Sequence, residues 1–360
     1  MNILIVKTSA IGDVLHTLPA LQALRRHYPA AHISWLVEEA AAGIVRDHPE
    51  LDEVLVSPRK GWIELLRAGR LWRLAAEFLR FVHRLRARRY DLLIDFQGLL
   101  KSSVLIACCR AERKVGFGRG MAHAEGSWLF LNERIPPVDM DIHAVDRELH
   151  LLAAIGIETG GVAYRLPLTG KEEDRAAALL VGRGVAAGED FVCINPMTTW
   201  ETKHWSEEGF AAVADRLRDE GLAVVFTGGA GDRGAIDGIL SRMRRPGAIN
   251  MAGMADLKEL AAVYRRARLL VTTDTGPMHV AAAVGTPIVA LFGPTAPWRT
   301  GPYGQGHRIV RRKLDCSPCF KRRCPLGTRA CMEELGVETV LAAILPQLRA
   351  KGNCPGAGNR

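Results

Sequence analysis

Three clusters of polar residues, each just after an apolar run, are the residues of this chain best suited to chemistry. The first lies in residues 2–16, NILIVKTSAIGDVLH, where a buried-strand pattern runs into a Gly-Asp turn and then a helix. Asp13 therefore sits beyond a strand's carboxyl end, with Lys7 finishing the same strand. Ligands of open α/β sheets collect in the crevice past those ends, so a carboxylate there is placed to take a proton. Asp is also a preferred N-cap and Gly12 suits a tight turn, so the segment alone leaves base and cap equally open. The second cluster, PMTTWETKHW, offers Thr198 and Thr199 as hydroxyls and Lys203 as a point charge for a phosphorylated ligand. The third, DTGPMHVAAAVGTP, opens a helix whose free N–H groups suit an anion: Gly276 permits close approach, Pro277 suits the first helical position, and Asp274 and His279 flank the site. Asp274 and Thr275 as mere helix caps, and Lys203 as a solvated charge, are the plainer readings. Three such clusters at the ends of successive strands outweigh them.

The elements that must position these residues fall into two successive series. Strand patterns at 2–7, 32–38, 53–56, 90–96 and 114–117 are followed by a second set at 191–195, 222–227, 248–250, 269–273 and 287–292, with helical stretches between. Alternation of this kind means parallel sheets covered on both faces. The expected architecture is α/β, with two doubly wound Rossmann-like domains facing across a cleft. The expected boundaries are 1–165 and 186–352, joined by a polar linker region at 166–185 and followed by a flexible tail at 353–360. Two domains are also what 360 residues lead one to expect. Strand 222–227 ends in GGAGDR, a Gly-rich turn that lets a nucleotide approach the backbone but is weak evidence by itself.

The net charge of +9 is concentrated. Between Arg59 and Arg89 stand ten Lys/Arg against two Glu, a local excess of eight. Within it Leu71, Leu74, Phe78, Phe81 and Leu85 recur at helical spacing beside a stripe of Arg73, Arg80, Arg84 and Arg88. Such a helix binds an anionic surface or lies at a membrane interface, or else packs through its apolar stripe on its own domain; the packed helix is the favoured reading, with its basic face open to an anionic partner. Nucleic acid is disfavoured as that partner, since no nucleic-acid-binding signature accompanies the charge. No apolar run reaches the roughly eighteen residues of a membrane span, and the N-terminus reads as a strand rather than a signal peptide. A cytoplasmic protein is expected.

KTSAIGDVLHTLPAL, TKHW with its preceding Thr pair, and DTGPMH together resemble the lipopolysaccharide heptosyltransferases of glycosyltransferase family 9. Over residues 7–21 the likeness is greater to the heptosyltransferase I branch than to heptosyltransferase II. The resemblance implies a GT-B fold and metal-independent, inverting transfer of L-glycero-D-manno-heptose from ADP-heptose to the Kdo-lipid A inner core. It assigns Asp13 as catalytic base, and Thr198, Thr199, Lys203, Asp274, Thr275, Gly276 and His279 as donor contacts, with Met254 packing on the adenine. Lys7, Arg59, Lys60, Lys101, His143 and Arg147 become acceptor contacts. No cofactor is implied. A monomer in peripheral contact with the anionic inner face of the inner membrane is expected.

Two features depart from the family pattern. Arg233, with Asp232 beside it, falls where an acidic residue is expected to hold the nucleotide ribose. Cys316, Cys319, Cys324 and Cys331 in CSPCFKRRCPLGTRAC suggest a structural metal site, although their spacing is not that of a standard zinc finger and reduced packing thiols are the alternative. The same clusters would also serve a transferase of another nucleotide sugar. A non-catalytic nucleotide-sugar binder is the third reading, but it has no need of Asp13.

Overall fold

Runs of Val, Ile and Leu long enough for one strand but too short for a helix form sheets buried on both faces. In the computed structural model, which describes residues 1–121 and 125–351, they build two units, Met1–Pro167 and Leu168–Arg360. The expected tail 353–360 lies outside the described residues.

The first unit holds β1 Asn2–Val6, β2 His32–Glu38, β3 Glu53–Ser57, β4 Tyr90–Asp95, β5 Ala111–Phe117 and β6 Glu133–Ile135. Their order is β3-β2-β1-β4-β5-β6, all parallel. The second unit holds β7 Phe191–Asn195, β8 Ala223–Phe226, β9 Ile249–Asn250, β10 Leu269–Thr273, β11 Ile288–Phe292 and β12 Arg308–Arg311. Its order, β12-β11-β10-β7-β8-β9, is the same doubly wound pattern, again parallel throughout. Strand order therefore reverses between β1 and β4 in one sheet and between β7 and β10 in the other, and those two switch points are where ligands of such sheets bind.

All ten predicted strands form, with ends shifted by up to three residues. β6 and β12 were not anticipated: each is a short edge strand carrying arginine, so its apolar run does not stand out. The stretch 166–185, expected as a linker, instead contains the helix Gly170–Val181, opened by Thr169 and Glu172 and packed against the helix Leu257–Arg266. The helix Leu71–Arg86 also departs from expectation. Phe81 and Leu85 are buried and Leu74 and Phe78 half-buried, but Leu71 is 60% exposed, so the stripe packs only through its middle and C-terminal part. Among the described residues no helix is long and apolar enough to cross a membrane.

Candidate functional site

At the switch point of the first sheet, β1 runs into the helix Ile11–His16. Asp13 is not the N-cap. Ala10 is, and Asp13 is the third residue of the helix, in its first turn, its Oδ2 accepting from the Ala10 amide at 2.9 Å. The neighbouring strand end supplies Asp95, whose Oδ1 accepts from the amides of Gln97 and Gly98 at 3.0 Å each. Gln97 ties the two strand ends together, its Oε1 accepting from the amides of Thr8 and Ser9 at 2.8 and 3.0 Å. Asp13, Asp95, Lys7, Arg147 and Glu148 line one cavity of about 260 Å³.

Lys7, expected among the acceptor contacts, is buried, and its ammonium donates to Phe96 O at 2.8 Å and Glu148 Oε1 at 2.7 Å. Burial pulls its pKa down, but the carboxylates of Glu148, Asp13 and Asp95 outweigh burial and raise it, so it stays a cation facing Asp13. Arg147 donates to Met140 O and Ile142 O, at 3.2 and 2.7 Å, from within the helix Ala144–Ala153, of which His143 is the N-cap. Lys101 binds Glu38 at 2.9 Å and also Ser9 Oγ, and Arg59 approaches the other Glu38 oxygen at 3.8 Å; Lys60 is exposed. Arg59 and Lys101 thus share a second, smaller pocket with Trp62 and Phe78.

Asp95 gives a stability test. Burial pushes its carboxyl up to about 6, against the amides of Gly98 and Gln97 and the charge of Lys7. The folded protein then holds this proton at pH values where the unfolded chain, near 3.8, has released it, so the contribution is favourable below about pH 4 and is lost as pH rises through 6. Asp95→Asn keeps the accepting oxygen and removes the titration. Its stability relative to the parent is expected to improve by roughly 1–3 kcal/mol between pH 4 and pH 7 in urea unfolding. A difference independent of pH would refute this.

At the second switch point the geometry is tighter. Lys203 follows β7 in a short 3₁₀ turn, Glu201–Lys203, and its Nζ lies 2.7 Å from Oδ2 of Asp274, just past β10. The same carboxylate oxygen accepts from Thr295 Oγ1 at 2.6 Å, a residue just past β11 that the sequence reading missed. The Lys203 ammonium also stands 4.5 Å from the centre of the Trp200 ring, with the Arg322 guanidinium 5.2 Å from that ring. Thr198 O is held by His204 Nε2 at 2.8 Å, which fixes the turn bearing Thr198 and the exposed Thr199. The helix Gly276–Ala283 begins beside Asp274, with Thr275 as N-cap, Gly276 at its first position, Pro277 at its second and His279 buried.

Met254 follows Gly253, whose φ of +72° and approach to Ala230 leave no room for a side chain: a Cβ would stand 2.6 Å from Ala230 Cα. That contact sets Met254 beside the Gly-rich turn after β8. Asp232 accepts at Oδ2 from the Gly229 amide at 2.8 Å, within the turn, and Arg233 donates to Ala252 O at 3.0 Å, tying the turn to the segment after β9. The four loop cysteines are free thiols, Cys316 exposed and Cys319, Cys324 and Cys331 half-buried. Among the described residues no group of three or more His, Cys, Asp or Glu is arranged to hold a metal ion, so the structural metal weighed for these thiols finds no support.

Residues 78–329 match the family model of glycosyltransferase family 9 (heptosyltransferase). The chain belongs to that family. It is 33% identical to the lipopolysaccharide heptosyltransferase 1 of Pseudomonas aeruginosa over 331 residues, 90% of this chain and 87% of the relative. Among solved structures it resembles a family 9 glycosyl transferase of Veillonella parvula, with a TM-score of 0.79, 26% identity and 97% of each chain covered. It also resembles the Escherichia coli heptosyltransferase WaaC with ADP, with a TM-score of 0.74, 26% identity and 96% and 100% of the two chains covered. The same enzyme with ADP-2-deoxy-2-fluoro heptose gives 0.71, 25% identity and coverage of 98% and 100%. This chain is accordingly a glycosyltransferase, with two Rossmann-like units of GT-B type.

Proposed function

We propose that this glycosyltransferase moves L-glycero-D-manno-heptose from ADP-heptose to Kdo-lipid A, with inversion and without a metal ion. The observation that carries the reading is the pairing of Lys203 and Asp274 across a switch point, beside a helix N-terminus. A cation and free amides suit a diphosphate, and a fixed carboxylate suits sugar hydroxyls. The related enzyme with ADP and with an ADP-heptose analogue supports that choice of donor.

Thr198, Thr199 and Lys203 then hold the diphosphate, Asp274 the heptose, Thr275, Gly276 and His279 the rest of the donor, and Met254 the adenine. On the first unit Asp13 takes the proton of the acceptor hydroxyl as that oxygen bonds to the anomeric carbon. The bond from that carbon to the ADP oxygen breaks, and the negative charge left on ADP is met by Lys203 and the helix amides. Arg59, Lys60, Lys101, His143 and Arg147 face the anionic acceptor, while Lys7 acts from beneath by keeping positive charge beside Asp13. A monomer at the cytoplasmic face of an anionic membrane fits the basic excess.

The test is to incubate purified protein with ADP-heptose and Kdo2-lipid A and weigh the products. An acceptor heavier by one heptosyl residue is expected, in the presence of EDTA as in its absence. No product, product only from another nucleotide sugar, or activity lost to EDTA and restored by Mg²⁺ would each overturn part of the reading. Reversing Arg59 and Lys60 to Glu is expected to raise KM for Kdo-lipid A by roughly 10-fold and leave that for ADP-heptose unchanged. An unchanged acceptor KM would make the two cations a solvated face.

A further inference from the structure

The helix Leu71–Arg86 carries more apolar surface than its own unit uses. At roughly 100° per residue, Leu74, Phe78, Phe81 and Leu85 fall on the face turned to the core. Leu71, Ala75, Leu79 and Trp72, in the first half of the helix, fall on the adjacent face within an arc of about 100°, whose C-terminal end holds the buried Val82 and Arg86, the latter donating to Cys108 O at 2.9 Å. That second face is open: Leu71 is 60%, Trp72 71% and Leu79 64% exposed. Leu66, on the preceding helix Arg59–Arg67, adds a further side chain at 56%. Arg73, Arg80 and Arg84 follow next around the helix, all exposed, and the Arg73 guanidinium lies 5.0 Å from the centre of the Trp72 ring.

We propose that Leu66, Leu71, Trp72 and Leu79 form a wedge that enters an anionic lipid bilayer, with Arg73, Arg80 and Arg84 meeting the headgroups. An exposed apolar strip beside a basic stripe, with an aromatic ring at the boundary, is the composition of a helix lying in a membrane interface. A second copy of this chain is a poorer occupant. Self-association through this strip would bring two like-charged basic stripes together. The proposal rests on the reading that the acceptor is a lipid, because it places the enzyme where such an acceptor resides. It adds that the contact is partly hydrophobic, so salt alone does not release it.

Cosedimentation with vesicles of phosphatidylethanolamine and phosphatidylglycerol tests this, with pure phosphatidylcholine as control. Full-length protein is expected to bind the anionic vesicles, to keep a bound fraction at 0.5 M salt, and to show its tryptophan emission quenched by brominated lipid. The Trp72→Gln, Leu79→Gln double variant is expected to bind about tenfold more weakly and to lose the salt-resistant fraction and part of the quenching, with its melting temperature unchanged. Binding equal to the parent, with the same salt response, would overturn the wedge in favour of charge alone. A dimer in sedimentation that the substitutions abolish would overturn it in favour of self-association. Transfer to a soluble Kdo saccharide keeps the two readings apart: the double variant should match the parent there. Lack of heptosyl transfer by both proteins, with vesicle binding intact, would refute the proposed reaction and leave the wedge standing.

Discussion

Asp13→Asn is expected to lower turnover by roughly 10²-fold or more while leaving ADP-heptose affinity near normal. The substitution separates the two roles that this carboxylate combines. As a structural group, Asp13 needs only an oxygen to accept from the Ala10 amide, and asparagine keeps one, so the first helical turn should survive. As a base, it needs a negative charge, which asparagine lacks. The buried Lys7 lines the same cavity as this carboxylate. Removing Asp13 altogether with alanine would lose both roles, and the added cost of the lost acceptor should appear as a drop in melting temperature that the asparagine variant does not share. Turnover of Asp13→Asn within about twofold of the parent would leave Asp13 with only its bond to the Ala10 amide and move the proton acceptor elsewhere, with Asp95 the next carboxylate on the same cavity.

The architecture was legible because a parallel strand buried on both faces is an unbroken apolar run, and such runs alternate with helical spacing through the whole chain. From that alternation come two doubly wound sheets, and from the sheets two switch points. The edges were not legible. β6 has three residues and β12 four, too few for a periodicity to show against their arginines. Helix Gly170–Val181 was misread as a linker because its exposed face is charged, although Thr169 and Glu172 spell a capping box that marks its start. In the helix Leu71–Arg86 the spacing of apolar residues gave the packed face from Leu74 to Leu85 but wrongly added the exposed Leu71, and could not show that a second apolar face stays open.

The residues of the candidate site were legible where they follow a strand in sequence, as Asp13, Lys203 and Asp274 do. Their partners were not, since each comes from a distant segment. Glu148 stands 141 positions from the Lys7 with which it pairs. Thr295 lies 21 positions from the Asp274 to which it donates. Asp95 and Gln97 had a usable signal: they end β4, the strand beside β1 at the switch point, and the order of strands would have singled them out. For Lys7 the residue type told only part. A lysine at a strand end suggests a ligand contact, and nothing in the sequence signals that the ammonium is buried and already bonded to Phe96 O and Glu148.

Lys203→Ala is expected to weaken ADP binding by roughly 10- to 100-fold, the usual worth of a charged hydrogen-bond donor, to slow transfer, and to leave acceptor KM unchanged. Lys203 and Asp274 are nearly buried, with 14% and 7% of their side chains exposed, so removing the lysine also leaves a carboxylate without its cation, beside the Thr295 hydroxyl. That loss alone can cost about 3–5 kcal/mol and could pass for a binding effect if unfolding were mistaken for weak affinity. Pairing Lys203→Met with Asp274→Asn separates the two effects. The double variant removes both charges together, so its melting temperature should recover toward that of the parent. Its ADP affinity should not recover, because the diphosphate still lacks its cation. Calorimetric titration with ADP beside thermal unfolding measures both quantities on the same protein. If ADP affinity returned along with stability, Lys203 would be a structural partner of Asp274, and the diphosphate would be held by the helix amides and the two threonines. If Lys203→Ala changed acceptor KM alone, the donor would belong to the first unit and the roles of the two sheets would be exchanged.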